Sequence, residues 1–543
     1  MSAFGWERDT TPRLRELADR GVRFPVTRAQ APWTLPSFSS ILTSLYPSQH
    51  GAGRGGHDEW TPIDPTTTSL AEVLHAEGYE TWGLVSNGLI SPRYGLDQGF
   101  ESYHSAWGME SATRDADAVV EFVSSRGATP WLAFWHIMDP HLPYTTPPEL
   151  RERFTDAEYD GRFARGRQPS VPFQDLDPRP GRRWFTHEGP PPPPDLTEAD
   201  AEFVAGYYDA ELFEMDAAVG RVFDALAESG QADRTIVAFV ADHGEGLGDH
   251  GHYHHGYTLF EDQVRIPMIL AIPGRDAGRV VERPVASIDL APTLFGALGL
   301  PVPDSFEGVD RLAADAPQDD AYVLEMPTYD SSAQKAVILG DFKYLHDPVF
   351  RTEALYDLGS DPGEQVDVRA EHPDVVRSAR ATLDEFRWEM LQKGRYHLAV
   401  KGSPGDVLSL EIETDDLFDA NFVARPAPPE EAFAMDLERK RLTLATELDA
   451  SGALELVFWC RGTVLTLGAT LGGEPLRVEV EGHGALDGGR IALTDVATAA
   501  SEDVTPPPRG GARLWLEAGV APVEAVVNTP EEIERLQDLG YAR

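Results

Sequence analysis

An α/β fold, its sheet covered by helices on both faces and followed by a β-sandwich-like domain, is what three observations predict. Helical and strand-like segments alternate through the first half of the chain, the order that builds a sheet with helices packed on it. A composition shift follows Arg395, after which short segments alternate apolar with polar residues. At 543 residues the chain is too long for one ordinary core, so two or three domains are expected.

Each element has its own signal. Thr11–Gly21 (TPRLRELADRG) reads as a helix with Pro at its start and Gly at its end. Near Pro36 to Ser44 a second helix is expected, with Pro close to the first helical position, where its missing N–H costs nothing. Ser69 to Gly78 and Thr81 to Ser86 read as helix then buried strand. Asp115 to Ser125 and Trp131 to Ile137 repeat that order. From Arg165 to Asp195 the chain turns irregular, with Arg182, Arg183 and the run Pro190 to Pro194. This reads as an extended excursion, either a solvated loop or a basic lid. Ala199 to Gly230 is a long helical stretch leading to the apolar run Ile236 to Val240, a predicted buried strand. Beyond 395, segments such as DVLSLEIE, RLTLATEL, ALELVFWC and RIALTDV fit a sandwich with charged edges. Leu454, Leu456, Phe458 and Cys460 share one face there, so Cys460 reads as packing. Thr529 and Glu532 are spaced as a capping box at a final helix.

Two segments carry the chemistry. Thr34 precedes the Pro36 helix, whose start offers backbone N–H groups and the positive end of a dipole. Such an environment favours bound anions and developing negative charge; the plain alternative is a Thr N-cap. Asp242, His243, Gly244 and Glu245 follow the Ile236 strand directly. Adjacent carboxylate and imidazole at a strand's carboxyl end lie where α/β sheets place ligands, and the pair suits a divalent metal such as Zn2+ or Mn2+. Thr34, Asp242 and His243 are therefore expected within metal-bridging reach of one another.

Together these segments resemble the sulfatase family of the alkaline phosphatase superfamily. WTLPSFSSILTSLYPSQHG resembles the family's nucleophile motif and the LTG-x-YP run behind it. HIMDPHLPY resembles the segment that brings a substrate-contacting His, VADHGEGLGDHG the second metal-ligand segment, and TLFEDQVRIPMIL, SIDLAPTLFGALGLP and ALYDLGSDPGEQVDV later family segments. The resemblance implies a sulfatase-like catalytic domain over 1–300, its C-terminal subdomain over 301–394, a β-sandwich-like insertion over 395–527 and a tail over 528–543. It implies a metal-dependent hydrolase of sulfate esters or related phosphate and phosphonate esters. Thr34, Asp242 and His243 would hold one divalent metal, Ca2+ first and Mn2+ or Zn2+ next. Thr34 would be the nucleophile, His141 and His255 would serve the leaving oxygen, and His50, Arg54 and Asn87 would contact substrate. A small anionic ester or a sulfated glycan is the implied substrate.

The chain departs from the family pattern in three places. Position 34 is Thr, and the single Cys is Cys460, so formylglycine is not expected at position 34. Phe38 stands where the motif has Arg, and Asn87 near the family's Lys. Met1 falls within the family's opening metal-binding motif, in register with it, so the first strand and its metal-binding Asp residues are expected upstream of Met1 or, alternatively, are lost from the chain. The alternative from another functional class is a catalytically impaired binding protein that kept this fold.

Composition narrows the partners. With 46 basic and 90 acidic residues the net charge is −44, a field that disfavours nucleic acids and anionic membranes. Five of the basic residues are Lys, an acidic and Lys-poor balance that fits either a solvated acidic surface or adaptation to salt. One Cys excludes an internal disulfide framework, and no apolar run reaches the length of a membrane span. The cytoplasm is the default compartment on this reading. Asp139 reads as a metal ligand or a turn residue, and His250, His252 and His254 as loop residues able to complete a metal shell.

Overall fold

The computed structural model describes residues 1–54, 59–106, 111–164, 170–171, 196–251, 253–318, 321–327, 334–347, 352–391, 396–414, 423–428, 432–435, 440–458, 464–481, 484–485, 490–492, 496, 498–499, 504, 506–509, 511–517, 526–527, 529 and 531–532. The expected excursion from 165 to 195, apart from residues 170–171, lies outside the described residues, as does Cys460. The chain forms two compact units, Met1–Asp320 with Glu524–Arg543, and Ala321–Val523. The sequence alone predicts a boundary at 300. Residues 301–320 belong to the first unit, where buried Arg311 Nε sits 2.6 Å from buried Asp289.

In the first unit α1 (Pro12–Arg20) leads into β1 (Val22–Arg28), and α2 spans Thr34–Thr43. Next come α3 (Leu70–Ala76), β2 (Glu80–Val85), β3 (Ser102–Ser105), α4 (Ala112–Ser125) and β4 (Trp131–Trp135). The long α5 (Glu198–Glu228) precedes β5 (Val237–Val240), and a small hairpin pairs β6 (Gly246–Leu247) with β7 (Tyr253–His254). The unit closes with β8 (Arg265–Ala271), β9 (Arg279–Val280), β10 (Val285–Ala286) and α6 (Leu290–Leu298). One sheet runs β9–β1–β8–β5, with β10 also on β1; another runs β3–β2–β4. In the smaller sheet all pairs are parallel, whereas β1–β8 and β8–β5 are antiparallel.

Alternation along the strands explains why helices lie on both faces. On one face Ile269 and Ala271 of β8, Val237 and Phe239 of β5 and Trp135 of β4 meet α1, α4 and α5. Met268 and Leu270 of β8, Val240 of β5 and Phe134 of β4 meet Leu35, Phe38, Ile41 and Leu42 of α2 on the other. β4 and β5 each end their sheet and, among the described residues, are not hydrogen-bonded to each other. Both feed the same two apolar clusters. The strand expected to be buried is consequently half-exposed, since β5 is an end strand with Ala238 open to solvent.

The second unit opens with a four-stranded antiparallel sheet of Tyr322–Glu325, Lys335–Leu339, Phe342–Asp347 and Thr352–Asp357 in sequence order. The helix Pro373–Leu391 follows. Seven- and six-stranded sheets then share one core. Leu398, Leu456 and Leu514 come from one sheet, and Leu408, Leu410, Ile412, Leu444 and Leu465 from the other. Val407–Thr414 alternates buried and open positions almost perfectly, the period of two expected of sandwich strands. Thr529 and Glu532 exchange the reciprocal bonds of a capping box: Thr529 N–H donates to Glu532 Oε2 at 2.7 Å, and Glu532 N–H donates to Thr529 Oγ1 at 3.3 Å.

Candidate active site

The start of α2 sets the first side chain. Trp33 occupies the N-cap position with an extended backbone and no side-chain capping bond. Thr34 is thus the first helical residue, two residues earlier than the Pro36 start expected from sequence, and it is not the cap. Its side chain is buried at 1% exposure, and Oγ1 lies 3.3 Å from His243 Nε2. Ser37 Oγ, one turn along, donates to the Asp242 carbonyl and ties α2 to the segment after β5.

That segment is locked from below. Gly244 N–H donates to the Gln263 carbonyl at 2.8 Å, and a Cβ at Gly244 would stand 2.2 Å from the Asp262 carbonyl oxygen. Only glycine allows that approach. His243 Nδ1 donates to the Gly244 carbonyl at 2.8 Å, which puts the ring's lone pair on Nε2, beside Thr34. Asp242 Oδ1 accepts the His243 N–H at 3.0 Å, and Oδ2 lies 3.3 Å from His243 Nε2. Two donors on one ion with bonds of about 2 Å stand roughly 3 Å apart. Thr34 Oγ1, Asp242 Oδ2 and His243 Nε2 therefore fit a divalent ion by donor type and spacing. The three predicted partners are brought together.

A second group of imidazoles borders this one. His141 is fixed from both sides: its N–H donates to Glu211 Oε2 at 3.0 Å and its Nδ1 to the Leu142 carbonyl at 2.6 Å. Glu211, on α5, also receives the Thr145 N–H. With burial the first cause, its carboxyl is pushed well above the usual carboxylate range. His255 Nδ1 pairs with Glu245 Oε2 at 2.9 Å, and His254 Nδ1 lies 3.4 Å from Glu245 Oε1. The rings of His243 and His255 are 4.0 Å apart. Burial pushes His141 down and His255 well below the ordinary imidazole range, so both favour the neutral form that binds metals.

Sequence reasoning missed three contributors. His136 directly follows β4, packs edge-on against Phe38 at 5.2 Å and is pushed down to about 4 by burial. Its position one residue past a strand end was a readable signal. Glu211 lies on the apolar stripe of α5, in line with Val204, Tyr207 and Met215, where a carboxylate is out of place unless it holds something. Glu245 sat in the DHGEG run, and only the hairpin return shows that it backs two histidines.

Other expected contacts turn inward. His50 is fully buried, with Nε2 3.0 Å from Ser40 Oγ and Nδ1 accepting the Ala52 N–H at 3.1 Å. Asn87 caps a short helix through the Leu89 N–H at 2.9 Å. Both make hydrogen bonds within the fold. Arg54 ends the two-residue strand Gly53–Arg54, and its side chain lies outside the described residues. Phe38 packs on Phe134 at 5.7 Å, so an apolar ring fills the place of the family's Arg. Asp139 accepts the Ala112 N–H at 2.7 Å at the start of α4, a helix-end role rather than that of a ligand. His250 stacks flat on Phe260 at 3.8 Å, and His252 lies outside the described residues.

The sulfatase family profile matches residues 1–300. An uncharacterized sulfatase, YidJ of Escherichia coli (strain K12), is 26% identical over 442 residues, 70% of this chain and 85% of that protein. A choline-sulfatase of Rhizobium meliloti (strain 1021) is 24% identical over 435 residues, 70% of this chain and 82% of that protein. In fold the chain is similar to a phosphonate monoester hydrolase of Agrobacterium radiobacter, with a TM-score of 0.57 at 21% identity, over 72% of this chain and 93% of that one. Helices on both faces of the sheet, the Asp242–His243 pair at a strand end and a hydroxyl at the start of α2 agree with that match. This chain belongs to the sulfatase family.

Proposed function

We propose that the protein is a metal-dependent hydrolase of anionic esters, with Thr34 as nucleophile. The observation that carries this is the Thr34 Oγ1 to His243 Nε2 distance of 3.3 Å at the first residue of a helix. Thr34, Asp242 and His243 would hold a divalent ion, which when bound lowers the pKa of the hydroxyl and neutralises the ester's charge. The Thr34 hydroxyl, acidified in this way, would give its proton to solvent while His243 Nε2 stays committed to the ion, and Oγ1 attacks the sulfur or phosphorus centre in line with the leaving oxygen. The start of α2 turns its positive dipole end toward the charge that develops. His141 and His255 serve the leaving oxygen, Glu211 and Glu245 hold them in place, and water then releases the covalent intermediate. Sulfated glycans and small sulfate esters are the substrates suggested by the family.

One observation favours a second reading, phosphate or phosphonate esters. Residue 34 is Thr, whose covalent ester must be cleaved by water attacking the sulfur or phosphorus itself. Phosphorus accepts that attack more readily. The test is release of nitrophenolate from 4-nitrophenyl sulfate and 4-nitrophenyl phosphate, with Ca2+, Mn2+ or Zn2+ added or chelated. Turnover that needs metal and is lost in Asp242→Asn supports the proposal, and the preferred ester decides between sulfur and phosphorus. Equal rates for Asp242→Asn and wild type, with or without chelator, would overturn it.

A further inference from the structure

The region next to Thr34 holds more ligand chemistry than the Asp242–His243 pair uses. One donor atom from each of His141, His254 and His255 lies within 4.8 Å of the others, and all three residues are buried. Among the described residues no other set of three His, Cys, Asp or Glu donors converges this closely. Bonds of about 2 Å to one ion close that span with small side-chain rotations.

The rings are arranged as ligands rather than as packing. The His141 and His254 planes are 88° apart with centroids at 5.5 Å, and those of His141 and His255 are 65° apart at 5.2 Å. His254 and His255 are 56° apart at 3.9 Å. Rings splayed in this way can aim lone pairs at one point, as stacked rings cannot. The outer partners agree. Glu245 faces the Nδ1 atoms of both His254 and His255, and the Leu142 carbonyl takes the Nδ1 proton of His141. The Nδ1 hydrogen bonds of His141 and His255 set the tautomer that carries the lone pair on Nε2 in those two rings, the outer-partner pattern of ligating imidazoles.

The backbone supplies an independent sign. His254 is held at φ +78°, in the left-handed region that a side-chain-bearing residue enters at a cost. Here the strained residue ends β7 and directs two successive imidazoles, 254 and 255, into the same buried cluster. Strain of this kind recurs at active sites, ligand clamps and switch regions.

We propose that His141, His254 and His255, backed by Glu245, form a binding site for a zinc-type transition-metal ion, separate from the Thr34–Asp242–His243 site. Three imidazoles select Zn2+ or Co2+ over Ca2+ and Mg2+, which take oxygen ligands. A bound ion would supply positive charge that the uncharged Phe38 and Asn87 do not, and would take over from His141 and His255 the stabilisation of the leaving oxygen. The site shares its pocket with the proposed function but does not depend on the reaction.

The test uses the full chain, stripped with EDTA and titrated with Co2+, whose visible bands report tetrahedral nitrogen coordination. Competition with Zn2+ gives the affinity. Wild type and Asp242→Asn should both develop the bands. His254→Gln should lose them or weaken binding at least 100-fold, and Glu245→Gln should weaken it about 10- to 100-fold. Circular dichroism confirms that each variant is folded; if His254→Gln is not, His141→Gln and Glu245→Gln carry the test. Unchanged affinity in the folded histidine and Glu245 variants would overturn the site, as would loss of all bands in Asp242→Asn. Co2+ binding by these histidines in a protein that hydrolyses no ester would leave the site standing and remove the proposed reaction. Metal-dependent hydrolysis without these bands would do the reverse.

Discussion

The two units use the same polar chemistry in different company. In the second unit His397 leans on Glu455 at 2.6 Å and stacks on Trp515 at 5.0 Å, one imidazole against one carboxylate within a sandwich. Its buried charges meet close partners as well: Lys335 meets Glu325, and Lys343 meets Glu364 at 2.9 Å with both side chains at 0% exposure. In the first unit one carboxylate, Glu245, faces two imidazoles, and His136, His141 and His243 stand close by. Stability alone asks that a buried polar group find a partner. A pool of imidazoles sharing one carboxylate exceeds that need, and the excess marks where this molecule has chemistry to perform.

The comparison breaks first if the second unit's charges act on the site. Lys343→Met leaves Glu364 buried without its cation, which should cost about 3–5 kcal/mol of stability. Below the melting temperature it should leave Co2+ binding untouched. Denaturant unfolding followed by metal titration of the folded variant measures both; a metal affinity that falls with Lys343 would join what we treat as separate.

A smaller effect sharpens the contrast between the two carboxylates. Glu245→Gln should weaken Co2+ binding by about 10- to 100-fold and shift stability little once metal is removed. Glu455→Gln should lower stability by about 1–2 kcal/mol through its hydrogen bond to His397 and leave metal binding as it was. If the two variants behave alike in both assays, the difference between the units is one of appearance.

His50 lies in the first unit but belongs by its contacts to the structural kind. Burial pushes its pKa down to about 3, against about 6.5 in an unfolded chain. The unfolded chain therefore takes up the proton first as pH falls. The stabilising contribution of neutral His50 is complete above about pH 6.5 and is lost toward pH 3, with a slope of up to about 1.4 kcal/mol per pH unit. His50→Gln should flatten that part of the stability curve; identical slopes in the two proteins would show that another group sets it.

What was legible in the sequence was local. The strands of the sandwich follow from alternation, as in Val407–Thr414, because a period of two needs no knowledge of the partner strand. Asp242 and His243 were found because a strand and its end are adjacent in sequence. The role of Glu211 rests on a loop some 70 residues away, and that of Glu245 on a hairpin return, so neither could be read from its neighbours. The internal bonds of His50 and Asn87 were hidden for the same reason. Both residues follow the right motifs, but their bonds are made inside the fold. Thr34 was placed before the helix because Pro36 suggested the first turn, yet Trp33 took the cap and left the hydroxyl to face His243.

The central claim is that Thr34 attacks, and replacing its hydroxyl tests it most directly. Thr34→Ala and Thr34→Ser are compared with wild type on the chromogenic ester that wild type turns over, with metal supplied. Removing the nucleophile should lower kcat by at least about 10³-fold, a loss of roughly 4 kcal/mol of transition-state stabilisation, with folding unchanged, while Thr34→Ser should keep measurable activity. A Thr34→Ala protein that turns over as fast as wild type would contradict the account and leave the attacking oxygen to water.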